Sequence, residues 1–153
     1  MIIIQITDCH LFSEIQKTGY NNINPYQSLR HILAEVKLRQ PNVLLVTGDI
    51  SGDGSGQSYQ HFSKLLNETS INCRIGIIPG NHDNQTQMKA HIDSDYLWLN
   101  KHRLILPNRW HIHLLDTQYQ HAMGQISESN LASLTEYLSV YCNDYHLLAA
   151  HHH

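Results

Sequence analysis

The sequence predicts an α/β fold built on a parallel β-sheet, and two observations carry that expectation. Residues 2–7, 43–47 and 73–79 are short apolar runs, the pattern of strands buried on both faces. Between them lie stretches whose apolar residues recur at helical spacing, so the first eighty residues read strand–helix–strand–helix–strand. Such alternation implies parallel strands joined by right-handed crossovers. No internal repeat, low-complexity tract or linker breaks the chain, which reads as one domain or part of one.

Each element has its own signals. After the first strand, Asn24-Pro25 offers an N-cap and a proline at the first helical position. Leu29, Ile32, Leu33 and Val36 follow on one face, and Pro41 stops the helix. "VLLVT" (43–47) is the second strand and "SGDGSG" (51–56) a loop. Ser55 or Ser58 then caps a helix whose apolar face is Tyr59, Phe62, Leu65 and Leu66. "CRIGIIP" (73–79) is the third strand, and residues 84–95 are helical in part. "RLILP" (103–107) and "WHIHLLD" (110–116) predict a hairpin or adjacent strands around Asn108. A helix over 127–141, with Leu131, Leu134 and Leu138 on one side, precedes a last strand, "YHLLAA" (145–150).

Composition bounds the function. The 153 residues suffice for one domain that buries roughly 70% of its unfolded surface. With 41% hydrophobic and 15% charged residues the chain is of soluble globular type. A formal charge of −3 gives no electrostatic case for a nucleic-acid or anionic-membrane partner. Cys9, Cys73 and Cys142 are odd in number and widely spaced, which suits a reducing compartment. With no signal h-region and no long apolar run, a cytoplasmic location is expected. The anomaly is histidine, with 13 copies, three of them terminal. A tag remnant would explain those three, but the strand-like segment leading into them argues otherwise.

Polar residues gather where strands end. Asp8 and His10 follow the first strand, Asp49 the second, Asn81 and His82 the third, and His151 the last. In open α/β sheets ligands bind beyond the carboxyl ends of the strands, so these ends deliver oxygen and nitrogen donors to one edge. Each alone reads as a polar turn; together they predict a metal site. Carboxylate, imidazole and amide donors without a thiolate cluster suit Mn²⁺, Fe²⁺/Fe³⁺ or Zn²⁺. A site for two divalent ions needs a bridging group, the expected role of Asp49, and would activate a water between them. Since Asn81 is neutral, Asp8 and Asp49 leave such a site positive and attractive to a phosphoester. His82 follows a ligand without needing to be one, and is placed to protonate a leaving oxygen, with Asp83 orienting its ring.

"QITDCHLF", "TGDIS", "PGNHD" and "LLAAHHH" together resemble the successive motifs of the calcineurin-like metallophosphoesterases. The resemblance is closest to the bacterial class III cyclic-nucleotide phosphodiesterases, strengthened by "SYQHF" (58–62), and it runs from residue 2 to 153. It implies a β-sandwich flanked by helices (αββα) and hydrolysis of a cyclic nucleotide such as 3′,5′-cyclic AMP. By the same resemblance, Asp8, His10 and Asp49 bind one metal; Asp49, Asn81 and His151 bind the other, with His151 favoured over His152. His10, Asp49, Asn81, His82 and His151 would meet the substrate phosphate. Relatives close their site with a Gly-His-x-His segment that has no counterpart here, so an incomplete domain over 1–153 is expected, with activity of this chain alone in question and self-association into a homo-oligomer possible. Other implied substrates are a UDP-diacylglucosamine, a nucleic acid or a phosphoprotein; a non-catalytic scaffold is the alternative outside enzymes.

Three features carry less. "GDGSG" lacks the Gly-Lys-Ser/Thr of a phosphate loop. Cys9 stands where relatives carry a small hydroxyl residue or proline, and is expected to be an inert strand-end side chain, the alternative being a thiol that makes the site oxidation-sensitive. Asp116, Tyr119 and His121 read as structural before pocket-lining.

Overall fold

In the computed structural model, which describes residues 1–97, 103–120 and 122–152, three strands share a parallel sheet. They are β1 (Ile3–Ile6), β2 (Val43–Thr47) and β3 (Arg74–Ile78), in the order β1-β2-β3. Ile6 pairs with Val46 and Val46 with Ile77, so all three strands end level, at one edge. α1 (Pro25–Arg39) and α2 (Gly56–Thr69) form the crossovers, and α3 (Gln85–His91) follows β3. Asn24 caps α1 by accepting from Gln27 N, and Ser55, not Ser58, caps α2. The Ser58 hydroxyl is instead buried against Ser51 Oγ at 2.6 Å.

A second sheet has the order β4-β5-β6. β4 (Arg103–Leu106) and β5 (Trp110–Leu115) form the expected antiparallel pair. The turn between them passes through Asn108 at φ 60°, where asparagine tolerates the left-handed region. α4 (Glu128–Val140) then carries the chain to β6 (Tyr145–Ala150), which lies parallel to β5.

Period-two alternation decides what lies between the layers. On β2, Leu44 and Val46 face α1, α2 and α3, where Leu33, Val36, Phe62, Leu65 and Met88 are buried. Val43 and Leu45 face the other way, onto Ile112 and Leu114 of β5 and Leu106 of β4. The result is the helix–sheet–sheet–helix sandwich. β1 departs from expectation: it flanks the sheet, with Ile3 and Ile4 half-buried and Gln5 exposed. Ile32 and Leu131 also lie off their buried stripes.

The outer face of β5 accounts for part of the histidine excess. His111 and His113 are buried beneath α4. His146 Nε2 donates to the Tyr141 carbonyl at 3.0 Å, so its Nδ1 accepts from His113 Nε2 at 3.0 Å. His111 donates to Asp144 at 2.8 Å and accepts from the Tyr137 hydroxyl at 2.9 Å. Arg103 stacks over the Tyr137 ring at 3.8 Å. Burial pushes His113 down to about 4, with the neighbouring His146, Arg103 and His111 adding to the effect. Among the described residues no helix is long and apolar enough to cross a membrane.

Candidate metal centre

The strand ends reach the site through backbone that ordinary residues avoid. Asp8 (φ 55°), His10 (φ 45°) and Asp49 (φ 51°) all take the left-handed region. Non-glycine residues there cost of order 1–3 kcal/mol each, and such strain gathers at functional sites. Hydrogen bonds from Asp8 N to Gly48 O (3.1 Å) and from His10 N to Asp49 O (2.9 Å) hold the two loops together. Gly48 and Gly80 allow the close approach. A β-carbon on Gly80 would collide with the Asp49 carboxylate, and one on Gly48 would lie 2.6 Å from His151 Nδ1.

Asp49 is the centre of the cluster and is 3% exposed. Its Oδ1 accepts from His82 N at 2.9 Å. Its Oδ2 is left facing two imidazoles, 3.7 Å from His10 Nε2 and 3.5 Å from His151 Nε2. Asp8 Oδ1 lies 3.5 Å from the same His10 nitrogen. His151 Nδ1 sits 2.8 Å from the Thr47 carbonyl oxygen, which can only accept, so that nitrogen carries the proton. In the neutral ring Nε2 then presents a lone pair, 3.2 Å from Asn81 Oδ1. Lone pairs of His151, Asn81 and Asp49 thus converge with no proton among them, an arrangement that a cation stabilises.

Two donor groups share Asp49: His10 with His82, and Asp8 with His151, the atoms of each group lying within 4.8 Å of one another. Oxygen and nitrogen donors in this arrangement fit divalent ions. His82 stands closer to the cluster than the sequence suggests. Its ring meets that of His10 edge-on at 5.1 Å, yet it remains exposed.

Asp83 corrects an expectation. Its carboxylate does not orient the His82 ring but turns inward, 6% exposed. It accepts from Gly80 N (2.9 Å), Ile50 N (3.2 Å), Ser51 N (3.0 Å) and the Tyr59 hydroxyl (3.0 Å). The reason is local: beyond the turn at Pro79-Gly80 the amides of two loops are buried without strand partners, and a carboxylate satisfies them. Burial raises its pKa against the pull of these bonds. Asp83 therefore clamps the loop after β2 to the loop after β3.

Several neighbours escaped the sequence reading. Tyr59 bonds Asp83 and receives the amide of Asn84 at 2.7 Å. Gln118 donates to the carbonyls of Gly80 (2.9 Å) and Asp83 (2.7 Å), tying the second sheet to the first. Asp116 accepts from Gln85 at 2.9 Å, the structural role expected of it; Tyr119 is exposed, and His121 lies outside the described residues. His152 turns from the cluster to Thr117 Oγ1 at 3.0 Å, so of these two terminal histidines it is His151 that faces Asp49. The "GDGSG" loop wraps its own Asp53, which takes the amides of Ser13 and Ser55 that an anion would need. Burial raises Asp53, but these bonds prevail and hold it at about 2. Burial, then the Asp83 and Asp8 charges, push the Cys9 thiol up to about 12, so it is not activated.

The calcineurin-like phosphoesterase family model matches residues 1–152. The chain belongs to that family. Among curated relatives of this metallophosphoesterase, the 3′,5′-cyclic adenosine monophosphate phosphodiesterase CpdA of Haemophilus influenzae is 33% identical over 154 residues, covering 99% of this chain and 55% of the relative. CpdA of Escherichia coli K12 is 31% identical, with 99% and 54% covered. A probable glycerophosphodiester phosphodiesterase GpdQ of Arcobacter nitrofigilis is 27% identical, with 99% and 57% covered. The chain spans about half the length of the curated relatives it matches. A dimetal phosphatase from Danio rerio shares the fold at TM-score 0.74 and 13% identity, over 97% of this chain and 68% of that one.

Proposed function

We propose that the chain forms the dinuclear metal-binding core of a phosphodiesterase that hydrolyses a cyclic nucleotide such as 3′,5′-cyclic AMP. The observation that carries this reading is the convergence of His10 Nε2 and His151 Nε2 on the single oxygen Asp49 Oδ2, at 3.7 and 3.5 Å. Asp8, His10 and Asp49 would hold one divalent ion, and Asp49, Asn81 and His151 the second. When bound, Mn²⁺, Fe or Zn²⁺ would supply Lewis acidity at a phosphoryl group and lower the pKa of an attacking water. The CpdA relatives support a cyclic nucleotide as the substrate.

The chain's own residues have distinct tasks. Asp49 divides its carboxylate, one oxygen fixed by the His82 amide and the other open to both ligand sets. Thr47 sets the His151 tautomer so that Nε2 can bind a cation. Asp8 and Asp49 do not neutralise two divalent ions, which leaves the pocket attractive to a phosphodiester anion. His82, exposed at the rim beside His10, protonates the departing oxygen.

The test is turnover of 3′,5′-cyclic AMP and of bis(p-nitrophenyl) phosphate with Mn²⁺, by the protein carrying this chain and by its His82→Ala variant. The reading expects hydrolysis of both, with His82→Ala lowering turnover of the cyclic nucleotide by roughly 10²–10⁴. The loss should shrink with p-nitrophenolate, which departs unprotonated. Equal losses on the two substrates would remove the proton-donor role. Hydrolysis of neither by the wild type would reject the reading.

A further inference from the structure

Beside the metal centre a cleft of about 450 Å³ opens against the loop that follows β1. That is ample for the organic part of a small ligand. Its lining shares Asp8 and His10 with the metal centre and continues through Phe12, Tyr20, Ile23 and Ser28. A phosphoester held at the ligand cluster would therefore direct one substituent into it. We propose that this cleft is a base-stacking subsite in which Tyr20 receives the nucleobase of the substrate. The proposal rests on the phosphodiesterase reading above and names the substituent that it selects.

The argument begins with exposure. Tyr20 is 87% exposed and Ile23 55% exposed, so two large apolar side chains stand uncovered beside the reacting end. They are not slack. Asn21 (φ 54°) and Asn22 (φ 59°) are consecutive left-handed residues, a conformation that costs energy and persists only when its surroundings impose it. Bonds from Gly19 N to Ile23 O (2.8 Å) and from Ile23 N to Tyr20 O (3.2 Å) close the turn. Asn24 anchors its far end by donating to Ile15 O at 2.8 Å while capping α1. Phe12 is set beneath: a β-carbon on Gly52 would stand 2.9 Å from its ring, and Lys17 already covers a ring face at 4.1 Å. Tyr20 is thus the uncommitted aromatic surface.

The chemistry of the lining chooses the occupant. A polyol substituent such as glycerol presents hydroxyls that need partners, and among the described residues the cleft offers, away from Asp8 and His10, little beyond the Ser28 and Tyr20 hydroxyls and the Cys9 thiol, set among Phe12, Ile23 and Pro25. A nucleobase presents flat apolar faces and confines its polar groups to the edge, which matches an aromatic and aliphatic wall. Stacking a base on one aromatic side chain strengthens binding roughly 5- to 100-fold.

The experiment measures dissociation constants of adenosine 5′-monophosphate, ribose 5-phosphate and glycerol 3-phosphate for the Mn²⁺-loaded protein carrying this chain by calorimetry. The probes share the phosphate, and the first two differ by the base. Adenosine monophosphate should bind roughly 5- to 100-fold tighter than ribose 5-phosphate. Tyr20→Ala should erase that difference without weakening ribose 5-phosphate, and Tyr20→Phe should keep it. Because Tyr20 is exposed, neither substitution removes core packing. Equal binding of adenosine monophosphate and ribose 5-phosphate to the wild type, or a ratio untouched by Tyr20→Ala, overturns the subsite alone. Binding of none of the three overturns the phosphodiesterase reading and the subsite together.

Discussion

His151 donates its Nδ1 proton to the carbonyl oxygen of Thr47 at 2.8 Å. The bond joins the end of β6 to the end of β2, so the two sheets of the sandwich meet at the ligand cluster. It also leaves Nε2 as the only basic atom of the ring, facing Asp49 and Asn81. A glutamine at 151 cannot reproduce that geometry. His151→Gln should raise the Mn²⁺ dissociation constant at least roughly tenfold, the scale of losing an oriented ligand. Calorimetric titration of both proteins measures it, and an unchanged constant would remove His151 from the ligand set.

Asp83 should prove a matter of stability before chemistry. Asp83→Ala leaves the amides of Gly80, Ile50 and Ser51 and the Tyr59 hydroxyl without their partner. Each buried unsatisfied group costs about 1–3 kcal/mol, so a loss of several kcal/mol in urea unfolding is expected. A variant of wild-type stability that loses only turnover would restore the ring-orienting role.

The difference between Asp83 and Asp49 shows what a sequence can carry. Both follow a glycine within a turn, and both read as candidate ligands or partners. One faces outward to the cluster and the other inward to orphan amides, and only the packing of the loop after β2 on the loop after β3 separates them. What was legible depended on short-range pattern: the alternation of apolar runs, the Asn24-Pro25 start of α1, the oxygen- and nitrogen-bearing side chains at strand ends. Tyr59 and Gln118 lay beyond reach because their partners are 24 and 35–38 positions away. β1 misled because an Ile-rich run looks alike whether it is central or at an edge. The left-handed backbone at Asp8, His10 and Asp49 has no sequence signal, since none of them is glycine.

The buried histidine layer predicts an acid limb to stability. His113 is held neutral in the fold, down at about 4 against an unfolded value near 6.5. Above roughly pH 6.5 it is neutral in both states and contributes nothing to the pH slope. As pH falls from there towards 4 the unfolded chain takes up a proton that the folded chain refuses, so stability is lost. His113→Gln should make this part of the stability profile shallower by up to one proton, about 1.4 kcal/mol per pH unit. Urea unfolding between pH 7 and 4 reads the slope, and identical slopes would show that His113 titrates alike in both states.

The central claim is that Asp49 joins two ligand sets and that His82, although its ring lies within reach of His10 and Asp49, acts as a proton donor and holds neither ion. The measurement that tests it most directly is the Mn²⁺ or Zn²⁺ content of wild type, Asp49→Ala and His82→Ala by elemental analysis after equilibrium dialysis. The wild type should carry two ions, His82→Ala should keep them, and Asp49→Ala should lose most of both, because the oxygen facing His10 and His151 is gone. Equal and unchanged metal content in the two variants, or a greater loss from His82→Ala than from Asp49→Ala, would contradict it.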